Sequence, residues 1–200
     1  MRVSREKAAE NRDALLKAAS RLFRSQGIDG VGVAEIAREA GLTHGALYAH
    51  FPSKEALAAE AFAHGFEGNM AAIREWAGDR RPSFRDYLDS YLSTAMRDRV
   101  ETGCPMAASA SEIGRQGSAV STSFTRAFEE MVTMLESALE ETIPPSRRRR
   151  LALAAVAAEI GALAVSRAVA KTDAALSDEV LQAMRETIGA AHEAETAATG

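Results

Sequence analysis

Val33-Ala34-Glu35-Ile36-Ala37-Arg38-Glu39-Ala40-Gly41-Leu42-Thr43-His44-Gly45-Ala46-Leu47-Tyr48-Ala49-His50-Phe51-Pro52-Ser53-Lys54 is the stretch on which the fold turns. Ile36, Ala37 and Ala40 recur at helical spacing, and Leu42, Leu47 and Phe51 follow as a second apolar set, so two short helices are expected to pack on each other. Gly41 supplies the left-handed residue between them, and the small Ala37 lets the helices cross closely. Thr43 takes the N-cap of the second helix, while Pro52-Ser53 stops it and caps the next one at Lys54. Thr43, His44, Ala46, Tyr48 and His50 then face outward, where the N-terminal end of a helix is placed to enter a major groove.

Upstream, Leu15, Ala18, Ala19, Leu22 and Phe23 mark one face of a first helix from about Arg5 to Gln26, closed by Gly27. Downstream, the spacing predicts helices near 54–77, 83–101, 105–115, 118–142, 146–170 and 177–193, which makes nine in all. No run shows the alternation of a strand. The expectation is an all-α chain: an N-terminal three-helix DNA-binding domain with a helix-turn-helix over residues 1–53, joined through the fourth helix to a larger C-terminal helical domain over 54–200, for which the family resemblance given below implies effector binding and dimerisation.

The 200 residues are 46% hydrophobic and 26% charged, the balance of a soluble globular protein rather than a disordered or membrane-bound one. The net charge of −4 excludes a uniformly basic coat. The basic excess sits at the front: residues 1–54 hold 9 Lys/Arg against 6 Asp/Glu, and residues 55–200 hold 15 against 22. No apolar segment follows the basic N-terminal residues, so a cytoplasmic protein is expected. A single cysteine excludes an intramolecular disulfide, and no Cys/His spacing suggests a metal site or a cofactor. Neither a nucleophile–base set nor a phosphate loop is visible, which argues against an enzyme.

The run Ile36-Ala37-Arg38-Glu39-Ala40-Gly41, followed by Leu47-Tyr48-Ala49-His50-Phe51-Pro52-Ser53-Lys54-Glu55-Ala56-Leu57, resembles the DNA-binding signature of the TetR/AcrR family of transcriptional regulators. The likeness covers about the first 60 residues. It implies that Tyr48 and His50 contact phosphates of a double-stranded DNA operator and that Thr43 and Gly45 approach the backbone. Lys54, with the positive end of the fourth helix, would clamp another phosphate, and His44 stands where bases are read. Gly32 and Val33, at the start of the second helix, belong to the same surface. The sequence departs from the usual pattern at Gly32, Ala34, Ala46 and Ala49, where polar residues are common. That thinning shifts specificity toward DNA shape or toward thymine-methyl contact by Ala46.

One recognition helix reads too little DNA, so a homodimer is expected. Leu151–Val165 is apolar nearly all round, and Ala154, Ala158 and Ala162 form a four-residue row open to a second helix. With Val165, and with Leu181, Met184 and Ile188 of the last helix, it resembles the family's dimerising bundle. Glu159 in the middle of this run, and alanine in place of leucine bulk, argue against a membrane span. The family resemblance further implies that a subset of Phe62, Phe66, Met70, Tyr87, Tyr91, Cys104, Met106, Phe124, Phe128 and Met131 lines a pocket for a small apolar or aromatic effector that releases the repressor from DNA. Residues of these types at helical spacing are otherwise plain core.

Cys104 precedes Pro105 at an expected helix start, where the helix dipole favours a thiolate. Its Gly103-Cys104 pair resembles a subgroup that includes electrophile- and oxidant-sensing repressors, so a thiol-sensing repressor is one alternative. A buried, unreactive cysteine is the plainer reading. A ligand-independent architectural DNA-binding protein is the other alternative, opposed by the size of the C-terminal half. Arg147–Arg150 are expected to pair with Glu140 and Glu141 across Pro144-Pro145.

Overall fold

A computed structural model describes residues 5–198, among which ten helices and no strands are found. They are α1 (Arg5–Gln26), α2 (Val33–Glu39), α3 (His44–His50), α4 (Lys54–Ala77), α5 (Phe84–Tyr91), α6 (Thr94–Asp98), α7 (Pro105–Ile113), α8 (Ser118–Ala138), α9 (Pro145–Ala170) and α10 (Ala174–Ala197). The tenth helix arises because the segment expected as one helix over 83–101 is two. Leu92 leaves helical geometry (φ −85°, ψ 52°), and Ser93 adopts an extended conformation from which its hydroxyl accepts the Met96 N–H at 3.1 Å. Leu88, Tyr91 and Leu92, three and four residues apart on one face, are buried just ahead of the break.

The chain forms two compact units. One comprises the chain up to Ala72 together with Val100–Arg126; the other comprises Ile73–Arg99 and Ala127 onward. This division departs from the expected boundary at residues 53/54. Most of α4, all of α7 and the start of α8 pack with the helix-turn-helix, because their apolar faces complete a core that three short helices cannot close alone.

In the first unit, α1 buries Leu15, Ala19, Leu22 and Phe23 against α2 and α3. The link between α2 and α3 is a Schellman turn: the N–H of Leu42 donates to the carbonyl of Ala37 (2.8 Å) and that of Gly41 to the carbonyl of Arg38 (3.0 Å), with Gly41 at φ +70°. Ile36, Leu47 and Phe51 are completely buried beneath it. Arg12 covers the Phe51 ring from 4.8 Å while pairing with Glu60 of α4. At Gly65, α4 comes so near α1 that a Cβ would collide with the Ser20 hydroxyl. Polar ties hold α7 and its leading segment to α1 and the loop after it: Arg24 donates to the Gly103 carbonyl (2.7 Å), Arg21 pairs with Glu101 as well as with Glu39 of α2, and Glu112 accepts the Asp29 N–H (2.9 Å).

In the second unit α9 lies along α10, with α6 against α9 and α5 against α10. A polar knot sits at one end. Ser166 and Ser177 are buried with their hydroxyls 2.8 Å apart; Arg167 donates to the carbonyls of Arg97 and Met96; Arg97 reaches Ser177 and Asp178. At the other end His192 meets Glu140 at 2.6 Å and packs on Phe84, a pairing that sequence spacing did not anticipate. The expected pairing of Arg147–Arg150 with Glu140 and Glu141 is replaced: Arg147 and Arg150 reach Glu195 of α10, and Arg149 reaches Glu129 and Glu136 of α8. Helix packing brings these acidic side chains closer to the arginines than their neighbours in sequence.

By length and composition α9 could cross a membrane, with a mean hydropathy of 1.7 over its most apolar stretch. Instead its inner face, from Leu151 through Val156, Ile160 and Leu163 to Ser166, is buried in this unit. Glu159 shares that face at 1% exposure, and desolvation raises its carboxyl well above the ordinary value of 4.5.

Two stability predictions follow from these contacts. Gly41→Ala meets no atom within 4 Å, so its cost is purely conformational, about 1–2 kcal/mol for a side chain held at positive φ, measurable by urea unfolding. For Glu159, both folded and unfolded chains hold the proton below about pH 4.5; as pH rises only the unfolded chain releases it, so stability falls. Glu159→Gln is therefore expected to melt like the parent at pH 4 and at a higher temperature than the parent at pH 8.

Candidate nucleic-acid interface and effector cavity

The outward side of α3 collects most of the residues expected at DNA. Thr43 caps the helix by accepting the Ala46 N–H (3.3 Å), which leaves its hydroxyl proton available to an external acceptor. His44 and Tyr48, one turn apart, meet edge to face with centroids 5.1 Å apart, and Tyr48 is 47% exposed. Gly45 is exposed, and a Cβ on it would meet nothing within 4 Å, so a flat strip of backbone lies open beside Tyr48. Ala46 and His50 are half-buried, with the His50 ring 6.5 Å from that of Phe51.

Two helix N-termini flank this face in sequence. At α2, Gly32 is the N-cap with no side-chain hydrogen bond and open space around it, and Val33 is half-buried at the first helical position. At α4, the Ser53 hydroxyl accepts the Ala56 N–H (3.0 Å), and Lys54 is half-buried at the first position of this 24-residue helix. Exposed N–H groups at a helix start, a lysine and a tyrosine hydroxyl form an arrangement suited to phosphate oxygens.

The residues expected in a single effector pocket are divided between the two units. Phe62, Phe66, Met70, Cys104, Met106 and Phe124 belong to the first; Tyr87, Tyr91, Phe128 and Met131 belong to the second. In the first unit Phe62 borders a cavity of about 20 Å³ with Phe23, Ile28 and Pro105, and its ring lies 5.7 Å from Phe124. Cys104 and Met106 are sealed from solvent, and Phe66 and Met70 are nearly so. Cys104 does occupy the N-cap of α7, ahead of Pro105, but makes no capping hydrogen bond through its side chain. Complete burial keeps solutes away from the sulfur.

The second unit holds a cavity of about 30 Å³ whose wall includes Trp76, Tyr87, Tyr91, Met96, Met131 and Glu159. Trp76 and Tyr87 are 5.9 Å apart. Burial, with Asp86 nearby, raises the Tyr87 hydroxyl above its usual range, so it remains a neutral donor. Of the ten residues expected at a pocket, Tyr87, Tyr91 and Met131 thus share one wall. Glu159 was missed as a site residue, although a lone carboxylate within fifteen apolar residues was the signal for it. A third hollow, open and polar, has about 230 Å³ bordered by Lys17, Arg21, Arg24, His64, Asn69 and Glu101. Among the described residues no group of three His, Cys, Asp or Glu side chains is close enough to hold a metal ion.

The expected dimer surface is also sorted by the fold. Ala154 and Val165 are exposed, Val165 by 51%, and Ala158 and Met184 are half-buried. Ala162, Leu181 and Ile188 instead lie in the core of their own chain, because α9 and α10 consume those faces against each other. The outward stripe of α9 runs through Ala154, Ala157, Gly161, Ala164 and Val165, rather than along the row of Ala154, Ala158 and Ala162.

Comparison with known proteins agrees with this geometry. Residues 15–61 match the family described as bacterial regulatory proteins, tetR family, and residues 82–187 match the transcriptional regulator LmrA/YxaF-like C-terminal domain. The HTH-type transcriptional regulator AcrR of Shigella flexneri is 42% identical over 59 residues, 30% of this chain and 27% of that protein. The HTH-type transcriptional regulator LmrA of Bacillus subtilis is 49% identical over 53 residues, 26% of this chain and 28% of that protein. The chain therefore spans little more than a quarter of the length of these curated relatives in the aligned region. Among solved structures, E. coli NemR in its reduced form superposes with a TM-score of 0.71 at 20% identity, covering 89% of this chain and 94% of that one. A TetR transcriptional regulator from Legionella pneumophila gives 0.73 at 19% identity, over 96% and 99%. Identities this low establish the shared fold. With a helix-turn-helix match at one end and a second match over more than half its length, the chain belongs to the TetR family of bacterial regulatory proteins.

Proposed function

We propose that this protein is a cytoplasmic, homodimeric transcriptional repressor that binds a DNA operator through α3 and leaves it when a small effector enters the helical domain. The observation that carries the reading is the outward face of α3, where Thr43, His44, Gly45 and Tyr48 stand exposed while Leu47 and Phe51 are completely buried. Gly32, Val33, His50 and Lys54 complete the phosphate contacts, and His44 and Ala46 meet base edges. With so few polar groups on α3, much of the sequence preference comes from DNA shape.

A second copy is needed to place two such helices in successive major grooves, about 34 Å apart. The exposed stripe of α9 around Ala154, Gly161 and Val165, with Met184 beside it, is the surface assigned to that pairing; Ala162, Leu181 and Ile188 support it from beneath. The cavity of the second unit is assigned to the effector. Trp76 on its wall is one residue from the end of α4, whose other end carries Lys54, so a shift at the cavity is transmitted along one helix to a phosphate contact. Complete burial of Cys104 favours this route over a thiol sensor.

Lys54→Ala is expected to weaken binding to every DNA sequence and to lower the slope of log affinity against log salt by about 1, with dimerisation unchanged. Gly45→Ala separates stability from binding: it should add about 1 kcal/mol to helix stability and still weaken the operator complex by closing the backbone strip. Unchanged affinity in both variants, by fluorescence anisotropy across a salt series, would contradict the assigned interface. For the dimer, Val165→Glu should yield a folded monomer by sedimentation equilibrium, whereas Leu181→Ala should lower stability by about 2–5 kcal/mol.

A further inference from the structure

Glu159 is a carboxyl group placed where nothing in the fold requires one. It is 1% exposed on the inner face of α9, borders the cavity of the second unit, and has no ion-pair partner among the described residues. Its Oε1 is buried without a hydrogen bond. A buried polar atom of this kind destabilises the protein unless a ligand completes it.

The surrounding wall narrows the chemistry of that ligand. Trp76, Tyr87 and Tyr91 present aromatic surfaces, and Met96, Met131 and Met134 supply soft, adaptable sulfur and methyl groups. Trp76 already receives a cation on its ring, with the Arg80 guanidinium 5.1 Å from the centroid. Trp76 is also 40% exposed, so one wall of the cavity reaches solvent. Aromatic faces attract cations, methionines yield to accommodate apolar groups, and a cation beside Glu159 favours release of its proton to solvent, so that the resulting carboxylate completes the charge.

We infer that the effector is a lipophilic cation, such as a quaternary ammonium joined to an aromatic group, whose positive centre pairs with Glu159 while its ring lies against Trp76 and Tyr87. This inference rests on the assignment of the cavity as the effector site and specifies its ligand class. At about 30 Å³ the cavity opens on binding, by rotation of the three methionine side chains.

Trp76 is the chain's single tryptophan, so its fluorescence reports on this wall directly. The full-length protein is titrated with phenyltrimethylammonium and with tert-butylbenzene, its neutral counterpart of the same shape, and the titrations are repeated on Glu159→Gln. The expected result is at least tenfold tighter binding of the cation to the parent protein, and loss of that preference in Glu159→Gln with the neutral compound bound as before. Equal affinities for both compounds in the parent, or a cation preference that survives in Glu159→Gln, overturns the cation inference while leaving an apolar effector site intact. If neither compound perturbs Trp76 nor protects the protein in a thermal melt, the effector assignment of the cavity falls as well.

Discussion

The left-handed turn at Gly41 is the constraint on which the helix-turn-helix depends. It closes α2 with two backbone hydrogen bonds and starts α3 three residues later, so that Ile36 and Ala37 meet Leu47 and Phe51 at a fixed angle. Because α3 has only seven residues, it could not hold its position by its own hydrogen bonds. Its orientation is a product of the buried floor, and the exposure of Thr43, His44 and Tyr48 is the other side of the same packing.

Three helices of this size bury too little surface to stand alone, which explains why the first compact unit recruits α7, most of α4 and the start of α8. Arg21, Arg24 and Glu112 tie α1 and its following loop to residues 101–112. The helix-turn-helix therefore shares a core with segments that a division at residue 53 would have given to the other half. Any rearrangement of α7 acts on α1 through charged groups whose hydrogen bonds have defined partners.

The second unit is organised around a contrast in how buried polar groups are satisfied. Ser166, Ser177, Arg97 and Arg167 complete one another and lock α6, α9 and α10 together. Glu159, on the same inner face of α9, has no such partner. The first arrangement stabilises the helix packing; the second withholds stability that a ligand is able to return. The face of α9 opposite these groups is small and apolar, and it leaves room for another helix.

Much of this was legible in the sequence because it is local. Helix spacing, Gly41, the caps at Thr43 and Ser53, and the buried identity of Leu47 and Phe51 all depend on residues within a few turns of one another, and they gave the all-helical fold and its helix-turn-helix. The break at Leu92 was local too, but the capping preference of Ser93 was hidden inside an otherwise helical pattern. What only the tertiary structure decided depended on distant partners. An apolar helix such as α9 does not declare which side it spends on its own chain, so Ala162, Leu181 and Ile188 proved to be core. Aromatic and methionine residues carry no label for the cavity they border, so the residues expected at one pocket fell into two units. The charge partners of Arg147–Arg150, and the solitude of Glu159, were fixed by which helices came to lie beside them, and packing over long sequence separations is the physical reason that one-dimensional periodicity could not supply them.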